Sequence, residues 1–169
     1  MKFSTRSRYG MRALLDIALQ TSREPVRLKE IARRQEVSLS YLEHIVGPLI
    51  AGGLLRSTRG PGGGVSLLKR PRDIPLIEVM RVLEGPLNAA DCVEHPDVCP
   101  RSALCATRAL WREVTDAIEA ALSDKTLADL MDRDDAEIRG ACVHDAMRPM
   151  DGLERICGDD LAQGQRSAP

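Results

Sequence analysis

Apolar side chains at Met11, Leu14, Leu15 and Ala18 recur at i, i+3, i+4 and i+7, while Arg6, Arg8 and Arg12 lie off that stripe. The pattern predicts an amphipathic helix over residues 4–20. A turn is expected from Ser22 to Pro25, and Leu28, Ile31 and Ala32 then mark a short second helix ending near Gln35. Glu36-Val37-Ser38 is a tight connection into a third helix, with Ser40 and Glu43 spaced as a capping box. Its buried stripe is Leu42, Ile45, Val46, Leu49 and Ile50, and Pro48 inside it predicts a kink or a late start. Two short helices joined by a tight turn have the shape of a helix-turn-helix, although an ordinary helical hairpin shares the pattern.

The periodicity then changes from helical to strand-like. Leu54 to Thr58 and Val65 to Lys69 read as two short strands separated by Arg59-Gly-Pro-Gly-Gly-Gly64. A helix-turn-helix followed by such a hairpin is a winged helix. A nucleotide-binding phosphate loop is the rival for the glycines, but no Gly-Lys-Ser/Thr follows and the next element is a strand. Pro71 and Pro75 bracket a connector to a helix from Leu76 to Glu84, striped by Leu76, Val79, Met80 and Leu83. The longest helix is expected from Ala103 to Leu122, about 30 Å at 1.5 Å per residue, with a wide stripe of Leu110, Trp111, Val114, Ala117, Ile118 and Ala121. So long a helix beside a small domain predicts packing against its twin in a dimer, or back over the first helix. Leu127, Leu130 and Met131 add one more turn.

Charge gives this architecture a direction. Residues 1–75 hold 14 Lys plus Arg against 6 Asp plus Glu (+8), whereas residues 76–169 hold 10 against 19 (−9). A basic half joined to an acidic half points to nucleic acid for the first alone. In helix-turn-helix geometry the N-terminal residues of the second helix enter the major groove, which brings Ser38, Ser40, Tyr41 and His44 to DNA. Glu43 either caps the helix or reads a cytosine amino group. Gly60 and its neighbours let the loop lie close to a sugar-phosphate backbone, Arg59 reaches the minor groove, and Arg56 and Lys69 reach phosphates. Aromatic residues make up only 2% of the chain, so the core rests on aliphatic side chains and favours helices.

The remaining chemistry lies between the two longer helices. Cys92, Cys99 and Cys105 fall in the spacing C-x6-C-x5-C, on a segment that reads as a loop running into a helix. Soft thiolates gathered on a loop suit an iron-sulfur cluster or another soft metal. One disulfide with a spare thiol, a metal-free thiol switch, and three small buried residues are the alternatives. Ser102 is placed to cap the next helix, which would put Cys105 in its first turn, where the helix end favours a thiolate. Five cysteines are an odd count, no apolar run is long enough to cross a membrane, and the N-terminus has no apolar signal core. A cytoplasmic protein with reduced thiols is the expectation. A small redox enzyme has little support, since no catalytic base or substrate pocket is visible.

Taken together, Lys2 to Asp16, Ser38 to Glu43, Arg59 to Gly64 and the three-cysteine segment make residues 1 to about 130 resemble a known winged-helix repressor family. It includes the iron-sulfur cluster regulator IscR, the nitric-oxide-sensing repressor NsrR, the iron-responsive regulator RirA and the cysteine-metabolism repressor CymR. The resemblance implies a homodimer binding palindromic operators in double-stranded DNA, a long dimerisation helix, and cysteines ligating a [2Fe-2S] or [4Fe-4S] cluster. The gap between Cys92 and Cys99 is one residue longer than in the cluster-regulator and nitric-oxide-sensor types. Arg108 stands where the cluster-regulator type has a histidine. The fourth ligand is therefore open among His95, Asp91, Glu94, Asp97, a partner-subunit group and a small thiol. A cluster-free, thiol-based or partner-dependent repressor is the alternative within DNA binding.

The expected fold is mainly α: a winged helix-turn-helix domain with a small β-hairpin wing over residues 1–75, and a sensor loop with a dimerisation helix over 76–131. An acidic tail without apolar periodicity, expected to be disordered, covers 132–169 and carries Cys142, His144 and Cys157. Metal binding by those three residues is disfavoured by their wide spacing.

Overall fold

Ser4 opens the first helix, α1 (Thr5–Leu19), by accepting the Ser7 N–H at 3.2 Å. The computed structural model describes residues 3–20 and 24–133; part of the Ser22 to Pro25 turn, and the tail from residue 134 with Cys142, His144 and Cys157, lie outside the described residues. The second and third helices, α2 (Leu28–Arg34) and α3 (Leu39–Ala51), follow through Glu36, the one non-glycine described residue with positive φ, at 55°. Strand β1 (Leu55–Thr58) pairs antiparallel with β2 (Gly64–Leu67), Leu55 facing Leu67 and Thr58 facing Gly64. Helix α4 (Leu76–Glu84), the four-residue α5 (Asp91–Glu94) and the 18-residue α6 (Ala106–Ser123) complete the order, and residues 127–133 are again helical.

One core binds these elements. Ala13, Leu14 and Ile17 of α1, Ile31 and Ala32 of α2, Leu42, Ile45, Val46 and Leu49 of α3, and Leu55 and Val65 of the hairpin pack with Ile74, Val79, Leu83 and Leu127. Each fully buried Leu or Ile contributes roughly 1.5–3 kcal/mol relative to exposure. A second cluster joins Ile77, Met80 and Leu87 to Ile118 and Leu122, with Met11 of α1 beside it, and so seats α6 on α4. The chain after α6 returns to the start of α4, where the Leu76 N–H donates to the Lys125 carbonyl at 2.8 Å and the Leu127 N–H to the Ile74 carbonyl at 2.9 Å. Thr126 and Asp129 cap the final helical stretch reciprocally, the Thr126 N–H donating to the carboxylate and the Asp129 N–H to the hydroxyl.

The architecture is the mainly α winged helix-turn-helix that the hydrophobic pattern predicts, and several local boundaries are corrected. Ser38, not Ser40, caps α3, accepting the Tyr41 N–H at 3.2 Å, because the left-handed turn at Glu36 brings the chain into the helix two residues early. Helix α3 runs through Pro48 with no late start. The long helix starts at Ala106 rather than Ala103, because Ser102–Leu104 winds into a 3-10 turn, and Ser102 does not cap it. Cys105 occupies the cap position instead. The cysteine segment is also more ordered than a loop: α5 and a 3-10 turn at Pro96–Val98 precede Cys99.

Candidate DNA-reading face and cysteine segment

The N-terminal turn of α3 exposes one side and buries the other. Leu42 and Ile45 are fully buried, which leaves Ser38, Ser40, Glu43 and His44 exposed. Tyr41 is half-buried and meets the Tyr9 ring edge-to-face, centroids 6.0 Å apart, while the Arg12 guanidinium lies 5.3 Å from the Tyr9 centroid. These contacts fix the entry of α3 against α1. Asp16, only 7% exposed, fixes α2 in the same way: Arg34 Nε donates to both of its oxygens at 3.0 Å and Gln35 Nε2 donates at 2.8 Å. Gln35 in turn accepts from Arg12 Nε at 2.9 Å. Hydrogen bonding to Asp16, against the cost of partial burial, holds the Arg34 guanidinium above its ordinary value. The sequence signal for this network was a lone carboxylate in α1 opposite a basic last turn of α2, and periodicity alone does not pair them.

The hairpin is docked on the connection between α1 and α2. Val26 and Val65 exchange N–H···O=C bonds at 2.8 and 2.9 Å, and Arg27 donates to the Pro61 carbonyl at 3.1 Å, anchoring the tip. A Cβ on Gly64 would stand 2.3 Å from the Val26 carbonyl oxygen, so this docking requires glycine there. Gly60 has φ 110°, which only glycine adopts without strain. Arg59 is exposed at the root of the tip. Arg56 Nε donates to Ser66 Oγ at 3.0 Å, and Lys69 pairs with Glu78 at 2.6 Å. The Lys69–Glu78 pair is solvent-exposed and worth about 0–1 kcal/mol, so it would be a weak competitor for any phosphate contact by Lys69.

Cys92, Cys99 and Cys105 are all half-buried free thiols. Cys92 sits in α5, Cys99 follows the Pro96–Val98 turn, and Cys105 caps α6. The Thr107 hydroxyl lies 3.0 Å from Cys105 Sγ and donates to it when the sulfur is ionised. That bond first, then the Arg108 backbone N–H, holds the Cys105 thiol below the ordinary thiol range. Arg108 Nε donates to the Cys92 carbonyl at 2.6 Å and its terminal nitrogen to the Val93 carbonyl at 3.4 Å. His95 is exposed, its Nε2 4.0 Å from a Glu94 oxygen, and Asp91, Glu94 and Asp97 are exposed as well. In donor chemistry three accessible thiols fit a soft-metal group. In geometry, no three or more His, Cys, Asp or Glu side chains among the described residues converge closely enough in one chain to hold a metal ion.

The match to a family model decides the wider assignment: residues 3–133 match Rrf2, described as an iron-dependent transcriptional regulator. The chain belongs to the Rrf2 family. It is similar to the protein rrf2 of Nitratidesulfovibrio vulgaris, with 45% identity over 131 residues, 78% of this chain and 87% of that protein. The HTH-type transcriptional regulator IscR of Vibrio atlanticus is 39% identical over 131 residues, 78% of this chain and 75% of that one. Among solved structures, CymR (YrzC), the global cysteine regulator of B. subtilis, superposes with a TM-score of 0.66 at 35% identity, covering 79% of this chain and 98% of CymR. This Rrf2-family chain is thus a DNA-binding transcriptional regulator and not an enzyme. None of its described helices is long and apolar enough to cross a membrane.

Proposed function

We propose that this regulator acts as a homodimer on a palindromic operator and senses iron-sulfur, iron, nitric oxide or redox status through Cys92, Cys99 and Cys105. The observation carrying the proposal is the position of the three free thiols, on a segment joined directly to the first turn of α6. The family description, an iron-dependent regulator, supports the same reading. The three sulfurs would hold a [2Fe-2S] or [4Fe-4S] cluster, with the fourth position open to His95, a neighbouring carboxylate or a group from the partner subunit. A bound cluster would supply a charged cross-link between α5 and α6.

The chain's own residues do the rest. Asp16 and Arg34 fix α2, Tyr41 orients the recognition helix α3, Ser38, Ser40, Glu43 and His44 face the groove, and Arg56, Arg59, Gly60 and Lys69 approach the backbone. The separation of two such heads in a dimer sets affinity for paired half-sites, and any ligand shifts it only by its preference for one separation. Anaerobic purification followed by iron and sulfide analysis and visible spectroscopy tests the proposal, with Cys99→Ala as the control. The expected result is absorption near about 400 nm in the wild type that is lost in the variant. A colourless, iron-free wild type that still regulates its promoter overturns it. The favoured alternative is then a cluster-free thiol or partner-dependent regulator, supported by the separation of the thiols within one chain and the lowered Cys105 thiol.

A further inference from the structure

Helix α5 is too short to satisfy its own carbonyls. Its bond from the His95 N–H to the Asp91 carbonyl, at 2.9 Å, is the expected i+4 closure, but the corresponding donor for Cys92 would be Pro96, which has no N–H. The Cys92 carbonyl would be left without its helical partner. Arg108, in the first turn of α6, supplies the donor at 2.6 Å and reaches the adjacent Val93 carbonyl as well. The same residue's backbone N–H donates to the Cys105 carbonyl at 3.1 Å. One residue therefore holds the first cysteine of the segment by its side chain and the last by its main chain.

We propose that Arg108 is a positioning residue that clamps the Cys92 turn to the start of α6, so that the two outer thiols are presented together and any change at them is transmitted to α6. The proposal rests on the sensor reading above. Fork-shaped donation to two carbonyls suits arginine at this position: a guanidinium makes both bonds from one rigid plane, whereas a lysine ammonium has donors but no fixed fork to match two carbonyls. The Arg108 side chain holds the α5 end of the clamp, whereas the contacts of Cys105, the Thr107 hydroxyl at 3.0 Å and the Arg108 main-chain N–H at 3.1 Å, do not depend on that side chain.

The test uses the full chain, reduced, chelator-treated and kept anaerobic, as wild type, Arg108→Ala and Arg108→Lys. Iodoacetamide alkylation is followed cysteine by cysteine on digested peptides across a pH series. In Arg108→Ala, Cys92 is expected to react about tenfold faster, as befits loss of a charged hydrogen bond. Cys105 keeps its pH profile, and Arg108→Lys recovers part of the protection at Cys92. A Cys92 rate no faster than wild type overturns the proposal. So does an equal displacement of the Cys105 profile, because it would mean that the start of α6 had loosened as a whole. In a second arm, the three proteins are reconstituted with iron and sulfide and challenged with chelator, and Arg108→Ala is expected to lose its iron several-fold faster than wild type. A wild type that takes up no iron or sulfide sinks the cluster reading, and the alkylation arm then decides the clamp by itself.

Discussion

Glu36 pays a conformational cost for the helix-turn-helix. At φ 55° it lies in the left-handed region, where an L side chain other than glycine is strained by about 1–2 kcal/mol. Replacing it with glycine removes that strain and adds unfolded-state entropy worth about 0.4–1 kcal/mol in the opposite direction. Relief of strain outweighs the added entropy, so Glu36→Gly is expected to stabilise the chain by about 0.5–1 kcal/mol. Chemical denaturation of the two proteins checks this, and an equal or lower midpoint in the variant would refute it. The same turn explains the corrected cap. Ser38 and Ser40 both offer a hydroxyl in the sequence, and only the left-handed residue before them decides which one meets the first free N–H groups of α3.

At the scale of elements, the C-terminal end of α4 is tied to the N-terminal end of α1. Glu84 accepts from the Ser4 N–H at 2.6 Å and from the Ser7 hydroxyl, and Arg6 donates to the Leu83 carbonyl. Burial pushes the Glu84 carboxyl up, but bonds from Ser7 and Ser4 and the nearby Arg6 outweigh it and hold the group below its ordinary 4.5. A carboxyl depressed on folding contributes stability above its ordinary value and loses it as pH falls through the lower folded value. Glu84→Gln is thus expected to be less stable than wild type at neutral pH, with the gap closing on the acid side. Urea midpoints measured from neutral to acid pH check the sign, and a gap independent of pH would refute it. Element type and order were legible in the sequence because α1, α3, α4 and the hairpin carry apolar periods of 3.6 or 2. The links between elements were not. Asp16 to Arg34, Glu84 to Ser7 and Arg108 to Cys92 join residues far apart in the chain, and no local pattern marks them. The start of α6 was misplaced for a related reason: Pro96 and Pro100 lie in a polar stretch whose 3-10 turns lack a helical period.

For the whole molecule, α6 has two apolar faces, and among the described residues only one is covered. Ile118 and Leu122 face α4, and Thr115 accepts the N–H of Ala89, beyond the end of α4, at 3.0 Å. Leu110, Val114, Ala117 and Ala121, spaced i, i+4, i+7 and i+11, form the other face; Leu110 is 50% exposed, and Thr115 is the one buried residue of the helix. The homodimer proposed above would bring this stripe against its own copy about a two-fold axis. Leu110→Glu tests this with little risk to the fold, since a half-exposed side chain carries little of the core. The expected outcome is a monomer by sedimentation, with emission of the single Trp111 shifted to the red. Operator binding should weaken by roughly 10²–10⁴-fold, because two linked half-site contacts become one. The basic residues of each head are untouched by the change, so weak binding to a single half-site should persist. A variant that stays dimeric and binds as wild type would remove α6 from the interface, and with it the route by which the cysteine segment could set the spacing of two DNA-reading heads.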